Sequence, residues 1–524
     1  MKRLLINKVL KPIVKSGFKA YFVGGCVRDE LLNVTPHDYD ITTDATPEQL
    51  HTIFDKFSNV SKNAEQFGVT MVLIPTPVQA DDLTQTYMEV EIATFRKDIT
   101  KGRHPEISLT TDIVEDAMRR DFTINALYQD IDGSIYDPTD YGLYDLNHNI
   151  LRFVGDPKER LREDPLRAFR FVRFLSQKNF KSKYDEYTIS SYCKNLDFSE
   201  VSKERMLKEI KQIFAGKYFT YESEAFNMAF ETGMFEVIGL QKIFSDLDMI
   251  DQSFKWHSEG AVYKDESNTL FLVKNRMDLS KCEPDTNGSA LYHSYRTFAI
   301  MHELIFNGYD VKDLKIDFDE EKIFLLKLGA LLHDIGKAYC NQGFKTQTFI
   351  HNGKEFTETS CIVNAHPQVG IEYAERFCKK LRLSNEETHF ICSIVAHHMD
   401  GHRLNKHKHL HEIYELTTHP YFKEIMLVSM ADDLASVILP QFVSECADPI
   451  QKIMNDEKVQ YCLTHPLPDP ILTGDDLIKY GKKPGPIFKK ILETAYHIQI
   501  DQSITDKDKL YKMSKNVTLT KDGK

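Results

Sequence analysis

Two periodicities divide the chain. Up to about residue 150, short runs rich in β-branched and aromatic residues (Tyr21 to Val23, Val69 to Ile74, Tyr87 to Phe95, Ile150 to Val154) alternate with turn signals such as Asp132-Gly133 and Asp137-Pro138. This predicts an α+β head over residues 1–150. Beyond it the period lengthens: Leu161, Pro165, Ala168, Val172 and Leu175 mark one helical face, and helical spacing dominates to the C-terminus. A helical neck is expected over 151–245. From 245 to 290 no period is clear, and CEPDTNGS at 282–289 reads as a turn-rich break. A histidine-rich helical block follows over 291–440, then a helical region over 441–524 whose polar tail, from Ser503, is expected to fray.

A length of 524 residues suggests about three compact units. Apolar residues at 42% and charged residues at 27% are ordinary globular usage and exclude a disordered chain. The formal net charge is −12, so a nucleic-acid partner must be met by a local basic patch. Residues 152–217 offer one, with 16 Lys and Arg against 10 Asp and Glu, although a solvated helical surface has the same composition. Nine scattered cysteines without a C-x-x-C pair fit a reducing compartment. Lysines break every apolar stretch of the N-terminus, and no apolar run approaches the ~18 residues of a membrane span. A cytoplasmic protein without membrane contact is expected.

Two clusters of residues carry candidate chemistry. In YFVGGCVRDELL a short strand enters Gly24-Gly25 and then a helix, a geometry that leaves backbone N–H groups open to a phosphate. HDYDI follows, and Asp38 and Asp40, two apart on a strand, would project from one face and hold a hard cation. Either motif alone is common: Gly-Gly marks many tight turns, and D-x-D recurs by chance. Arg119, Arg120 and Asp121 set two cations beside an acceptor, suited to a triphosphate and a ribose or to a surface ion-pair cluster. Asp164 and Arg167 are neighbours if helical, either as a salt bridge or as an acceptor and donor able to imitate a base edge. Glu91, alternating with Glu89, is a third acid near the cation site or simply solvated.

These motifs, in this order, resemble the class II tRNA nucleotidyltransferases (CCA-adding enzymes) and the bacterial poly(A) polymerases of the DNA polymerase beta superfamily. FRKDITKGRHPE (95–106) is similar to the family's flexible loop, RRDFTINAL (119–127) to its sugar- and phosphate-binding motif and EDPLRAFRFVRF (163–174) to its base-selecting motif. VSKERMLKEI (201–210) resembles the helix after that, and TGDDLIKYGKKPGP (473–486) a C-terminal segment of many members. The resemblance implies a mixed-sheet nucleotidyltransferase head, Mg²⁺ on catalytic Asp38 and Asp40, and nucleotide contacts from Gly24, Gly25, Arg28, Arg119, Arg120, Asp121, Asn125, Asp164, Arg167 and Arg170. It implies tRNA, CTP and ATP as partners. AEQFGVTMVLI (64–74) is similar to the CCA-adding branch, and the flexible loop, with Arg96, Asp98 and Arg103, favours addition of the terminal A; a poly(A) polymerase is the alternative. The oligomeric state, a homodimer included, is left open.

The second cluster is a series of histidines: His293, His333-Asp334, His366, His397-His398 and Asp432. Any one of these suits a core or surface role. Imidazole and carboxylate on helices facing one cavity suit Mn²⁺, Fe, Ni²⁺ or Zn²⁺. The order resembles that of the HD-domain phosphohydrolases, an all-α fold that some CCA-adding enzymes carry. It implies a divalent transition metal such as Ni²⁺ or Mn²⁺ on His293, His333, Asp334, His366, His397 and Asp432. Asp432 is taken over Asp433 by resemblance, and His398 competes with His397 because helix neighbours point roughly 100° apart. An RNA-modifying transferase with an attached phosphohydrolase is the leading expectation; a hydrolase with an RNA-binding head and a non-catalytic RNA scaffold are the other classes.

Overall fold

The structure is a computed structural model, and it describes residues 1–54, 68–75, 87–98, 107–221, 223–253, 262–264, 270–272, 283–286, 290–340, 342–351, 354–363, 365–435 and 449–515. The chain divides into two compact units, Met1–Gln241 and Lys242–Lys524.

The first unit is built on a six-stranded mixed sheet. In chain order the strands are β1 (Ala20–Val23), β2 (Asp40–Thr43), β3 (Val69–Pro75), β4 (Tyr87–Thr94), then the separate hairpin β5 (Arg96–Asp98) and β6 (Ile107–Leu109), then β7 (Tyr128–Gln129) and β8 (Ile135–Tyr136). Their order across the sheet is β3-β4-β2-β1-β7-β8. β2 runs parallel to β4, pairing Ile41 with Ile92, and antiparallel to β1, pairing Asp40 with Val23. Alternation along β3 and β4 buries Val72, Ile74, Val90 and Ile92 and leaves the intervening side chains less buried. A core of Val23, Phe95, Ala117, Ala126, Tyr128 and Val154 fixes the strands that carry the site.

Helices α1 (Gly25–Leu31), α2 (Ile113–Met118), α3 (Pro157–Glu163), α4 (Leu166–Gln177) and α5 (Lys203–Ala215) complete what the site needs. The single helical face expected through Leu161 and Leu175 is broken between α3 and α4. Pro165 has no N–H to continue the ladder and disfavours helix at the residue before it, so Asp164 is extended (φ −141°, ψ 99°) and Pro165 caps α4. Beneath α4, Phe122, Phe153 and Phe171 join Phe174 in an aromatic cluster. Gly216, after α5, lies so near Ser176 of α4 that a Cβ there would fall 2.4 Å from the Ser176 carbonyl oxygen.

The second unit is mostly helical: α6 (Ala290–Asn307), α7 (Glu320–Leu332), α8 (His366–Leu381), α9 (Asn385–Gly401), α10 (Leu410–Thr417) and α11 (Phe422–Ala435), then α12 (Pro486–Gln502) and α13 (Lys507–Ser514). A two-stranded hairpin, β9 (Gln342–His351) and β10 (Lys354–Val363), stands between α7 and α8, which the helical spacing did not predict. Where fraying from Ser503 is expected the tail forms a helix through Ser514, and 516–524 lie outside the described residues. Asp506 accepts from the Lys509 N–H and caps α13, and Leu510 is fully buried against Ile491 and Ala495. Of the expected break at 282–289, residues 283–286 form a short strand, and 282 and 287–289 lie outside the described residues.

Candidate functional site

In the first unit β1 delivers the chain to Gly24, whose φ of +76° only glycine adopts without strain. A Cβ there would also sit 3.5 Å from Arg120 Nη1 and 3.7 Å from Asp40 Oδ2. The turn opens α1 and sets its first N–H groups beside Asp40, across the strand pair. Together these residues line a cleft of about 690 Å³. Gly24, Gly25, Arg28, Asp40, Arg119, Arg120, Asp121, Asn125, Asp164, Arg167 and Arg170 all face it. Eleven lysines and arginines stand there against five carboxylates, so an acidic chain presents a locally basic cleft. Asp38 is not part of the lining: β2 starts at Asp40, and Asp38 lies in the irregular segment before it rather than on the strand expected for both. The parallel register of Ile41 with Ile92 brings Glu91 level with Asp40 on the neighbouring strand. Desolvation in the cleft, with the charge of Asp38 added, lifts the Asp40 carboxyl above its usual range against the pull of Arg120.

The arginines are held by buried acids. Asp116, fully buried and three and four residues before them on the helical spacing, accepts from Arg119 Nε at 2.9 Å, Arg120 Nη2 at 3.2 Å and the Tyr128 hydroxyl at 2.7 Å. Burial opposes ionisation of Asp116, but Arg120 and Arg119 outweigh it and hold its carboxyl below the usual range. Asp121 accepts from the Phe122 N–H at 2.8 Å and Asn125 Nδ2 at 3.1 Å, and pairs with Arg170 at 2.6 Å. Burial again works against ionisation, and Arg170 with Asn125 overcomes it. Arg28 donates to Asn125 Oδ1 at 2.6 Å and stacks over Phe174. The sequence reading missed Asp116 and Tyr128; the i, i+3 and i, i+4 spacing to Arg119 and Arg120 was the available signal.

Asp164 and Arg167 do not pair with each other, because Asp164 lies outside α4. Arg205 reaches Asp164 Oδ2 at 3.3 Å, while Arg167 donates to the carbonyl oxygens of Arg160 (2.8 Å) and Arg119 (3.0 Å) and to Glu163 (3.0 Å). By count, two of the five N–H donors of Arg167 remain. Arg96 and Asp98 of the flexible-loop motif begin the β5–β6 hairpin; Arg103, with 99–106, and residues 64–67 lie outside the described residues.

In the second unit five helix-borne segments converge. Asp334 lies at the centre: its Oδ1 is 3.1 Å from His366 Nε2 and 3.5 Å from His398 Nε2, and its Oδ2 is 3.2 Å from His333 Nε2 and 3.9 Å from His293 Nε2. His293 Nε2 meets Asp432 Oδ1 at 2.7 Å. Two ligand groups result, His293–His333–Asp432 and Asp334–His366–His398. His398, and not His397, belongs to the site. On α9 the two diverge, His398 fully buried beside His366 at 3.3 Å and His397 turned outward onto Asp400 at 2.8 Å.

The donor set fits divalent cations. His333 and His398 direct Nδ1 at the carbonyls of Ala330 (2.8 Å) and Val395 (3.0 Å), which fixes Nδ1–H and leaves Nε2 as the inward lone pair. His333 Nε2 is buried with no hydrogen-bond partner. His402, not singled out in the sequence, bridges Asp432 (2.6 Å) and Asp433 (3.0 Å). Burial disfavours its imidazolium, but Asp432 and Asp433 push its pKa up to about 10, so a charged donor orients Asp432. Burial, helped by the charge of His333 and opposed by Asp334, lowers His398, and burial opposed by His402 and His333 leaves Asp432 well below the carboxylate range.

Residues 20–152 match the family model of the poly A polymerase head domain, and residues 290–436 that of the HD domain. The CCA-adding enzyme of Staphylococcus epidermidis is 39% identical over 212 residues, 40% of this chain and 49% of that protein. That of Ligilactobacillus salivarius is 42% identical over 213 residues, 40% of this chain and 48% of that protein. The chain thus spans about half the length of the curated relatives it matches. The crystal structure of the Bacillus stearothermophilus CCA-adding enzyme in complex with CTP aligns with a TM-score of 0.55 at 20% identity, over 98% of this chain and 96% of that one, a likeness of fold. Among the described residues no helix is long and apolar enough to cross a membrane. The chain therefore joins a region that matches the poly A polymerase head domain to one that matches the HD domain.

Proposed function

We propose that the head adds C, C and A in turn to the 3′ end of tRNA, taking the nucleotides from CTP and ATP without a template. The observation that carries this reading is the single cleft that gathers the glycine turn, Asp40, the arginine pair and the Asp164–Arg167 elbow. The N–H groups at the start of α1 and the guanidiniums of Arg119 and Arg120 grip the triphosphate, held in aim by Asp116. Asp121, Asn125 and Arg170 form one hydrogen-bonded unit for the ribose. Mg²⁺ on Asp40 and Asp38 would supply charge neutralisation at the phosphates and the attacking hydroxyl. Cytosine and adenine each present a ring-nitrogen acceptor beside an amine donor. Arg167, with two N–H donors to spare, and Asp164, as acceptor, complement that edge; guanine and uracil reverse it. The basic residues of 152–217 receive the tRNA backbone, and a cytoplasmic setting is part of the reading.

The HD domain is proposed to hydrolyse phosphate mono- or diesters, such as a cyclic-phosphate RNA end that would block nucleotide addition. His293, His333, Asp334, His366, His398 and Asp432 would hold cations of the Ni²⁺ or Mn²⁺ class, which supply Lewis-acid activation of water and ester. The backbone carbonyls of Ala330 and Val395 and the His402 ring hold those ligands in place.

Incubation with tRNA lacking its 3′ end, with CTP, ATP or both, tests the first reading. Products longer by two residues with CTP and by three with both are expected. A long A tail made from ATP alone would replace this reading with poly(A) polymerase.

A further inference from the structure

Outside both sites the second unit holds another concentration of histidine. Residues 407–411 read HKHLH, and this segment starts α10. His409 is the residue that caps α10, in extended backbone (φ −105°, ψ 139°), and His411 lies in its first turn. Asp501 arrives from the last turn of α12, 90 residues further on. Both imidazoles turn Nδ1 to the same carboxylate oxygen: Asp501 Oδ2 is 3.0 Å from His409 and 2.8 Å from His411. The three ligand atoms lie within 4.8 Å of one another.

We infer that His409, His411 and Asp501 form a third divalent-metal site, of Zn²⁺ type, that ties the start of α10 to the end of α12. Two imidazoles and one carboxylate are a borderline donor set that selects Zn²⁺ over Mg²⁺ or Ca²⁺. At metal–ligand distances of about 2.0–2.1 Å, neighbouring donors of a tetrahedron stand roughly 3.3 Å apart, a few tenths of an ångström beyond the contacts to Asp501. Two further bonds hold the ligands in place: the His411 N–H donates to Asp501 Oδ1 at 3.1 Å, and the His411 ring stacks on His497 with centroids 4.1 Å apart and planes within 10°. The His409 side chain is 57% exposed, so solvent completes the fourth position. Without metal the same geometry is satisfied by two Nδ1–H groups donating to one carboxylate, and that is the competing account.

The test uses the full chain with Asp334→Ala, which weakens the HD cluster as a competing sink, stripped of metal and titrated with Zn²⁺ by calorimetry and by thermal unfolding. The proposal expects one equivalent of Zn²⁺ more than is bound when Asp501→Asn is added, and a rise in Tm of several degrees through mass action that the added Asp501→Asn removes. Equal stoichiometry and an equal Tm rise with and without Asp501→Asn would overturn it. Should that variant fail to fold metal-free, the exposed His409→Ala decides in the same way, read as the Zn²⁺-dependent rise above its own metal-free Tm: lost if the site is real, kept in full if it is not.

Discussion

Asp116 shows how one buried charge governs two half-buried ones. Its three donors, Arg119, Arg120 and Tyr128, are the groups that aim the arginine pair at the cleft. Asp116→Asn keeps the shape and removes the charge, so it should cost about 1–3 kcal/mol in stability and raise KM for CTP by about tenfold or more, readable by urea unfolding and steady-state incorporation. The pH dependence has a definite sign. Since the folded carboxyl is held below its ordinary value of about 3.9, its stabilisation is complete above that pH and lost as pH falls through the lower folded value. The variant should therefore unfold with a flatter acid limb below about pH 4. Asp164→Ala is expected to alter nucleotide choice more than rate, admitting GTP or UTP with discrimination reduced by the about 1–3 kcal/mol of a paired base edge. Unchanged fidelity in that variant would leave Asp164 as merely the partner of Arg205.

At the scale of elements, the sequence shows what a residue can do more readily than where a helix stops. Asp164 and Arg167 were legible as acceptor and donor, but Pro165 ends one helix and starts another, so they face the cleft from an elbow rather than as helix neighbours. His397 and His398 are chemically alike, and only the rotation of α9 separates the buried ring from the one on Asp400. The approach of α8 to the His333-Asp334 turn depends on a glycine. A Cβ on Gly336 would lie 1.9 Å from the His366 carbonyl oxygen and 2.7 Å from the Gly370 nitrogen, both backbone atoms that cannot swing aside. Gly336→Ala must push the start of α8 away and carry His366 from Asp334. Metal binding at the HD cluster should fall by more than tenfold in a calorimetric titration while nucleotide addition continues; undiminished binding would show that α8 can shift as a body without loss.

At the scale of the whole chain, the composition that hid one site left the other in view. A net charge of −12 gives no hint of RNA, yet eleven basic side chains gather in one cleft of the first unit, drawn from segments far apart in sequence. The histidines of the second unit, like the motifs of the first, kept their order along the chain and were legible as a set. The division into Met1–Gln241 and Lys242–Lys524 assigns each cluster entirely to one unit. Among the described residues each candidate site draws its side chains from one unit, so the two chemistries should be separable by single substitutions. Asp40→Ala should abolish CTP incorporation while hydrolysis of a model phosphodiester or a 2′,3′-cyclic nucleotide with Mn²⁺ or Ni²⁺ persists. Asp334→Ala should do the reverse, since it removes the carboxylate of one ligand group, 3.2 Å from His333 of the other, and nothing in the basic cleft. If Asp334→Ala also halts nucleotide addition with the first unit still folded by circular dichroism, the sites are energetically coupled and the separation by unit is wrong. If neither protein hydrolyses any ester with any of these metals, the HD cluster serves as a structural metal site, and its loss should then lower the Tm of the second unit.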